Sequence, residues 1–172
     1  MIGLFFGSTN GNTAAVAEII KQEFHHQGNV EVELFDVADY YLEEMLAFDF
    51  LIAGVPTWNI GQLQRDWEAV LDELDSLDLS GKVAAFYGLG DQVGYPDTFG
   101  DALFFVADRI QQRGAKVVGA WPTEGYSFRG SWAEQDGHFI GLMIDEDNQS
   151  EETPSRVQQW VRQLLLVEVQ KC

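Results

Sequence analysis

In the run Ser8-Thr9-Asn10-Gly11-Asn12-Thr13, five of six residues carry a neutral hydrogen-bonding side chain. The run follows the apolar stretch 2–6 and precedes Val16, Ile19, Ile20 and Phe24, which fall at helical spacing. A strand, a phosphate-sized loop and a helix start therefore coincide. The first N–H groups of a helix are unpaired and lie at the positive end of its dipole, so a phosphate docks there without a basic side chain. Ser8, Thr9, Asn10 and Thr13 add side-chain donors, and Gly11 permits a positive φ. No Lys or Arg occurs between Met1 and Ile20. The P-loop pattern G-x-x-x-x-G-K-[ST] is not met, because Gly7 and Gly11 are too close and Asn12 stands at the lysine position. Triphosphate chemistry is therefore not expected. The dinucleotide fingerprint is also absent, since Gly88-Leu89-Gly90 leads into a loop and not a helix. Taken alone, the stretch also reads as an ordinary capped turn.

Two further loops carry aromatic residues. Pro56-Thr57-Trp58-Asn59-Ile60-Gly61 follows one buried apolar run, and Gly88-Leu89-Gly90-Asp91-Gln92-Val93-Gly94-Tyr95-Pro96-Asp97 follows another. Two aromatic faces over one edge can hold a flat ring between them. Neither loop contains Lys or Arg. A flat ring with one phosphate, in acidic surroundings, points to flavin mononucleotide.

The elements that must position these loops alternate between strand and helix. Strands are expected at 2–6, 30–35, 50–55, 82–87 and 115–121, with 30–35 at an edge. Helices are expected after the first loop, briefly at 40–46, then through Trp67, Val70, Leu71 and Leu74, and through Leu103, Val106, Ala107 and Ile110. Gly28 and Gly114 read as helix stops. A last helix carries Val157, Trp160, Val161, Leu164 and Leu165, with Thr153-Pro154 as N-cap and first turn. Such alternation implies right-handed crossovers, a parallel sheet and helices on both faces. Segment 122–137 interrupts the pattern and splits the last strand, which resumes at 138–144. In such sheets ligands bind at the carboxyl ends of the strands, where the three loops converge.

The length suits one domain, 1–172. Twenty-eight acids face ten bases, a formal charge of −18, which disfavours nucleic acid and anionic membranes and steers basic proteins toward the chain. Cys172 is the one cysteine, so no intrachain disulfide or cysteine-based metal site is expected. With no leader pattern after Met1 and no run long enough to span a bilayer, a cytoplasmic monomer is expected.

Over its whole length the chain resembles the long-chain flavodoxins. The residues that carry the resemblance are the loop Ser8–Thr13, the segments Pro56–Gly61 and Gly88–Asp97, Arg113-Gly114-Ala115-Lys116, Gly137-His138-Phe139-Ile140-Gly141-Leu142, and Asp145-Glu146-Asp147-Asn148-Gln149. The resemblance implies a flavodoxin-like three-layer sandwich whose five-stranded parallel sheet has the order 2-1-3-4-5. It also implies tight noncovalent flavin mononucleotide and one-electron transfer between the half-reduced and fully reduced flavin. By the same resemblance Ser8, Thr9, Asn10, Gly11, Asn12 and Thr13 hold the phosphate, and Thr57 assists at the phosphate–ribityl end. Trp58 and Tyr95 flank the ring, with Pro56, Ile60 and Gly61 completing the first aromatic loop. The Asn59–Ile60 peptide lies beside the flavin N5. Gly90, Asp91 and Gln92 border the pyrimidine, Asp97 lies close by, and Asp145 is near the ribityl chain. Asn10 stands where many members have Thr, and Asn12 where a lysine is frequent.

A peptide flip at Asn59–Ile60 is expected to drive a residue toward positive φ, which Asn tolerates better than most residues. The fully reduced, anionic flavin would sit near Asp91, Asp97 and Asp145, so a low second potential is expected. The partners expected from the resemblance are basic redox proteins: a ferredoxin–NADP reductase, photosystem I or nitrogenase reductase. Two rivals remain, an NAD(P)H-dependent quinone reductase on the same fold and a non-redox flavin- or phosphate-binding module. The reductase would need a basic nucleotide pocket, and none is visible near the loops. A response regulator is excluded, because Gly7-Ser8 and Pro56-Thr57 stand where its carboxylates would be.

Overall fold

The computed structural model describes residues 1–169. Cys172 lies outside the described residues. The main sheet has seven strands, among them β1 (Ile2–Phe6), β2 (Val32–Asp36), β3 (Phe50–Trp58), a short β4 (Gln62–Leu63) that turns back on β3, and β5 (Val83–Leu89). The sheet is completed by β6 (Lys116–Val117) and, after an excursion, β10 (Leu142–Ile144). The order across the sheet is β10-β5-β3-β1-β2, all parallel. Strand β6 also pairs with β5, at Val83 and Ala84, while β10 pairs further along, at Tyr87–Leu89. The two pieces together form the fifth strand, so the order is the expected 2-1-3-4-5 with its last member split.

The split is wider than the sequence pattern suggests. Residues 115–121 and 138–144 read as two continuous halves, but the chain leaves the sheet after Val118. Gly119 takes φ 87 under the Trp160 indole, whose Nε1–H donates to the Gly119 carbonyl at 2.8 Å. From there β7 (Trp121–Pro122), β8 (Glu134–Gln135) and β9 (His138–Phe139) make a separate antiparallel sheet, ordered β7-β9-β8. At Gly141 the chain rejoins so close to β5 that a Cβ there would lie 2.1 Å from the Phe86 carbonyl oxygen. Neither close approach leaves a mark in hydrophobic periodicity.

Alternation along the strands divides the core in two. Phe5, Leu51, Ala53 and Phe86 face α3 (Asp101–Gln112), while Ile2, Leu4, Ile52 and Tyr87 face α1 (Asn12–Gly28) and α4 (Thr153–Val169). Trp67 and Trp160 are fully buried anchors, one in each layer. Three local expectations change. Asn29, at φ 51, supplies the left-handed stop of α1, and Gly28 instead admits Leu165 of α4 at close range. The stripe Trp67–Leu74 is α-helical only over α2 (Arg65–Val70) and tightens to 3-10 over Leu71–Ser76. Thr153 is already helical, and its hydroxyl donates to the Glu146 carboxylate instead of capping α4.

Candidate functional site

The start of α1 presents the unpaired N–H groups and positive dipole end that can receive an anion. Gly11 turns at φ 89, with open space where a Cβ would stand, and no acid occupies the first helical turn. Asn10 Oδ1 accepts from the Asn12 N–H at 3.1 Å, and Ser8 Oγ from the Ala14 N–H at 3.4 Å, which shapes the loop around the helix end. From below, the buried Tyr87 hydroxyl donates to the Thr13 carbonyl at 2.9 Å, and burial raises the Tyr87 pKa well above its usual value. From the side, the buried Gln64 amide donates to Thr9 Oγ1 at 3.1 Å, while its oxygen caps α2 by accepting from Asp66 and Trp67. Gly7 is required there, because a Cβ would lie 2.2 Å from the Gln64 oxygen.

A cleft of about 250 Å³ opens beside this helix end, at the carboxyl edge of the sheet. Asn10, Asn12 and Thr13 form one end, Pro56, Thr57, Trp58 and Asn59 one wall, and Leu89, Gly90, Asp91 and Tyr95 the other. Glu146 and Asp147, just after β10, close the rim. Ten of the expected site residues thus converge from three separate loops. Two polar atoms on this lining are buried with no hydrogen-bond partner: Thr13 Oγ1 and Trp58 Nε1. Buried polar groups are almost always paired, so two orphans on one cleft mark donors kept for a ligand. Thr57 has a second duty, since its Oγ1 accepts from the Ala102 N–H at 3.1 Å at the start of α3, leaving its proton free to donate.

The other expected residues sit differently. Ser8, Thr9 and Gly11 shape the loop behind the lining. Ile60 is outside the cleft and 75% exposed, and Gly61 turns at φ 75 against Asp101. Asp97 also lies outside it and pairs with Arg129 of the insertion at 2.7 Å. Gln92 and Asp145 are buried beneath the wall and bonded to each other, with Gln92 Nε2 donating at 2.7 Å. Asn59 already holds φ 47, with its carbonyl accepting from the Gly61 N–H at 3.1 Å. Leu89, Glu146 and Asp147 are not among the residues expected to bind, although they line the cleft and the ends of β5 and β10 place them at the ligand edge.

The cleft is electrically negative. No Lys or Arg is among its lining residues. Burial raises the Asp147 carboxyl above the ordinary range, and the charges of Asp91, Asp145 and Glu146 push it further the same way. Burial also acts upward on Asp91, but the Gly94 N–H, the Asn148 amide and the Val93 N–H outweigh it and bring that carboxyl below the usual range. Among the described residues no group of three or more His, Cys, Asp or Glu side chains could hold a metal ion. Among the described residues no helix is long and apolar enough to cross a membrane.

Comparison with known proteins bears on the same site. The family model described as "Flavodoxin" matches residues 4–160. A flavodoxin of Picosynechococcus sp. is 54% identical over 95% of this chain and 95% of its own length. One from Nostoc sp. is 50% identical over 95% of this chain and 94% of its own. The crystal structure of a Fusobacterium nucleatum flavodoxin bound to flavin mononucleotide superposes with a TM-score of 0.88 at 29% identity, covering 95% of each chain. The likeness extends through all three loops of the cleft and through the excursion that splits the fifth strand, and on that footing the chain belongs to the flavodoxin family.

Proposed function

We propose that the chain carries single electrons on noncovalently bound flavin mononucleotide and passes them to redox partner proteins. The observation that carries this reading is the cleft itself. An uncharged helix start with an orphaned hydroxyl lies at one end, two aromatic side chains stand on facing walls, and acids line the rim. The bound flavin would supply the redox chemistry, which no side chain of this site can.

The chain's own residues do the rest. Asn10, Asn12, Thr13 and the first N–H groups of α1 would hold the phosphate by hydrogen bonds and the helix dipole. Thr57 would donate its hydroxyl proton to the phosphate–ribityl end. Trp58 and Tyr95 would sandwich the ring and exclude water from its faces. Asp91, Glu146 and Asp147 would make added negative charge costly, because like charges in a partly dry site repel strongly. That favours giving electrons away, and so a low-potential carrier. The acidic surface steers the carrier toward basic partners, among which a ferredoxin–NADP reductase, photosystem I and nitrogenase reductase suit the charge.

Titrating the flavin-free protein with flavin mononucleotide tests the binding, and should quench flavin fluorescence at a one-to-one ratio. Adding NADPH alone to the loaded protein tests the carrier role. The flavin should stay oxidised until a reductase is supplied. Direct bleaching by NADPH would favour the quinone-reductase reading.

A further inference from the structure

The excursion 119–141 does more than decorate the fold. Its Ser127 N–H donates to the side-chain oxygen of Gln92 at 2.6 Å. Gln92, 3% exposed, donates in turn through both its backbone N–H (3.1 Å) and its side-chain amide (2.7 Å) to Asp145 Oδ2. Asp145 is fully buried, and its other oxygen accepts from the Asn148 backbone at 3.0 Å. The Asn148 amide bridges Asp145 and Asp91 Oδ1, the latter at 2.8 Å. Asp91 then folds the Tyr95 loop around itself, accepting from Val93 and Gly94 on its side chain and from Tyr95 on its carbonyl. The chain of bonds runs from the insertion to the aromatic wall without a break. None of its three inner side chains, Gln92, Asp145 and Asn148, lines the cleft.

We infer that Gln92, Asp145 and Asn148 are positioning residues that hold the Tyr95 wall at its ligand-binding geometry, with the Ser127 amide making the split-strand insertion part of that device. A buried carboxylate has a physical reason to serve as the hub. It accepts several N–H bonds at once, and each charge-assisted bond is stronger and more directional than a neutral one. Gln92 is the one member that reaches both the hub and the insertion, so it couples them.

The proposal rests on the flavin reading for its ligand and on the protein alone for its geometry, and the test keeps these apart. Hydrogen exchange of the Val93, Gly94 and Tyr95 amides is followed in flavin-free Gln92→Leu, Ser127→Pro and Ser127→Ala. The flavin mononucleotide dissociation constant and the visible circular dichroism of the bound flavin are measured alongside, with far-ultraviolet circular dichroism to show that each variant is folded. Gln92→Leu and Ser127→Pro are expected to speed exchange at these amides, weaken binding about tenfold and alter the visible signal. Ser127→Ala keeps the N–H and is expected to match the parent in all three. Unchanged exchange in folded Gln92→Leu, or Ser127→Ala behaving like Ser127→Pro, overturns the proposal. Failure of the parent to bind the flavin would sink the flavin reading, and the exchange measurement would still decide the positioning role.

Discussion

Thr13→Val separates a hydroxyl kept for a ligand from one kept for the fold. Thr13 is 1% exposed, and its Oγ1 is buried without a partner. Val has nearly the same shape and a similar helix propensity, so little besides the hydroxyl changes. In the flavin-free protein an unpaired buried hydroxyl is a net cost, and removing it should stabilise the fold by about 1–2 kcal/mol. The backbone bond from Tyr87 to the Thr13 carbonyl is untouched. In the complex the same hydroxyl would donate to a phosphate oxygen, a charge-assisted bond worth about 1.5–3 kcal/mol, so flavin mononucleotide should bind roughly 10- to 150-fold more weakly. Stability and affinity should thus move in opposite directions. Urea unfolding of the flavin-free protein gives the first quantity, and flavin fluorescence titration the second. Riboflavin, which has no phosphate, is the control and should bind variant and parent within about twofold. If Thr13→Val destabilises the flavin-free protein, or if riboflavin loses as much affinity as flavin mononucleotide, the assignment of this helix end to a phosphate is refuted.

Other outcomes follow from the same geometry. Asp147→Asn removes a charge from a crowded acidic rim and should raise the potential for the second electron by roughly 40 mV, about 1 kcal/mol of relieved repulsion; an unchanged spectroelectrochemical titration would count against the rim as the cause. Burial raises the Asp101 carboxyl despite the Trp132 N–H it accepts. Its contribution to stability is therefore complete below the unfolded carboxylate value and is lost as pH rises through the raised folded value. Asp101→Asn keeps an oxygen for Trp132 and should flatten that loss, so unfolding curves from acid to neutral pH that run parallel for the two proteins would contradict it. A Cβ at position 54 would lie 2.2 Å from Tyr87 Cζ, in a ring locked by burial and by its bond to Thr13. Gly54→Ala should cost roughly 3 kcal/mol in urea unfolding and loosen the start of α1, and a loss below about 0.5 kcal/mol would show that the ring can yield.

Much of the architecture was legible because it rests on local periodicity. Buried runs such as 50–55 and 82–87 carry their strand character in composition, and the α3 stripe Leu103–Ile110 its helix in spacing. The first loop announced its chemistry by what it holds and by the cations it lacks. Gln92 and Asp145 were harder. Both are polar residues in loops at the ligand edge, and sequence cannot tell a side chain that faces a cleft from one that props its wall from behind. Asp97 is similar, for its partner Arg129 lies 32 residues away in an excursion whose path no pattern specifies.

By itself the sequence determined the order of elements, the edge at which ligands gather, and a loop of neutral hydrogen-bonding groups at a helix start, since each depends on residues close together in the chain. Only the tertiary structure decided which polar groups are paired. Thr13 and Trp58 are left with unused donors, while Gln92, Asp145 and Thr57 are engaged by partners 35 to 53 residues away. Hydrogen-bond satisfaction in a buried wall depends on three-dimensional contact, and it is this that divides the residues that would touch the flavin from those that hold the walls around it.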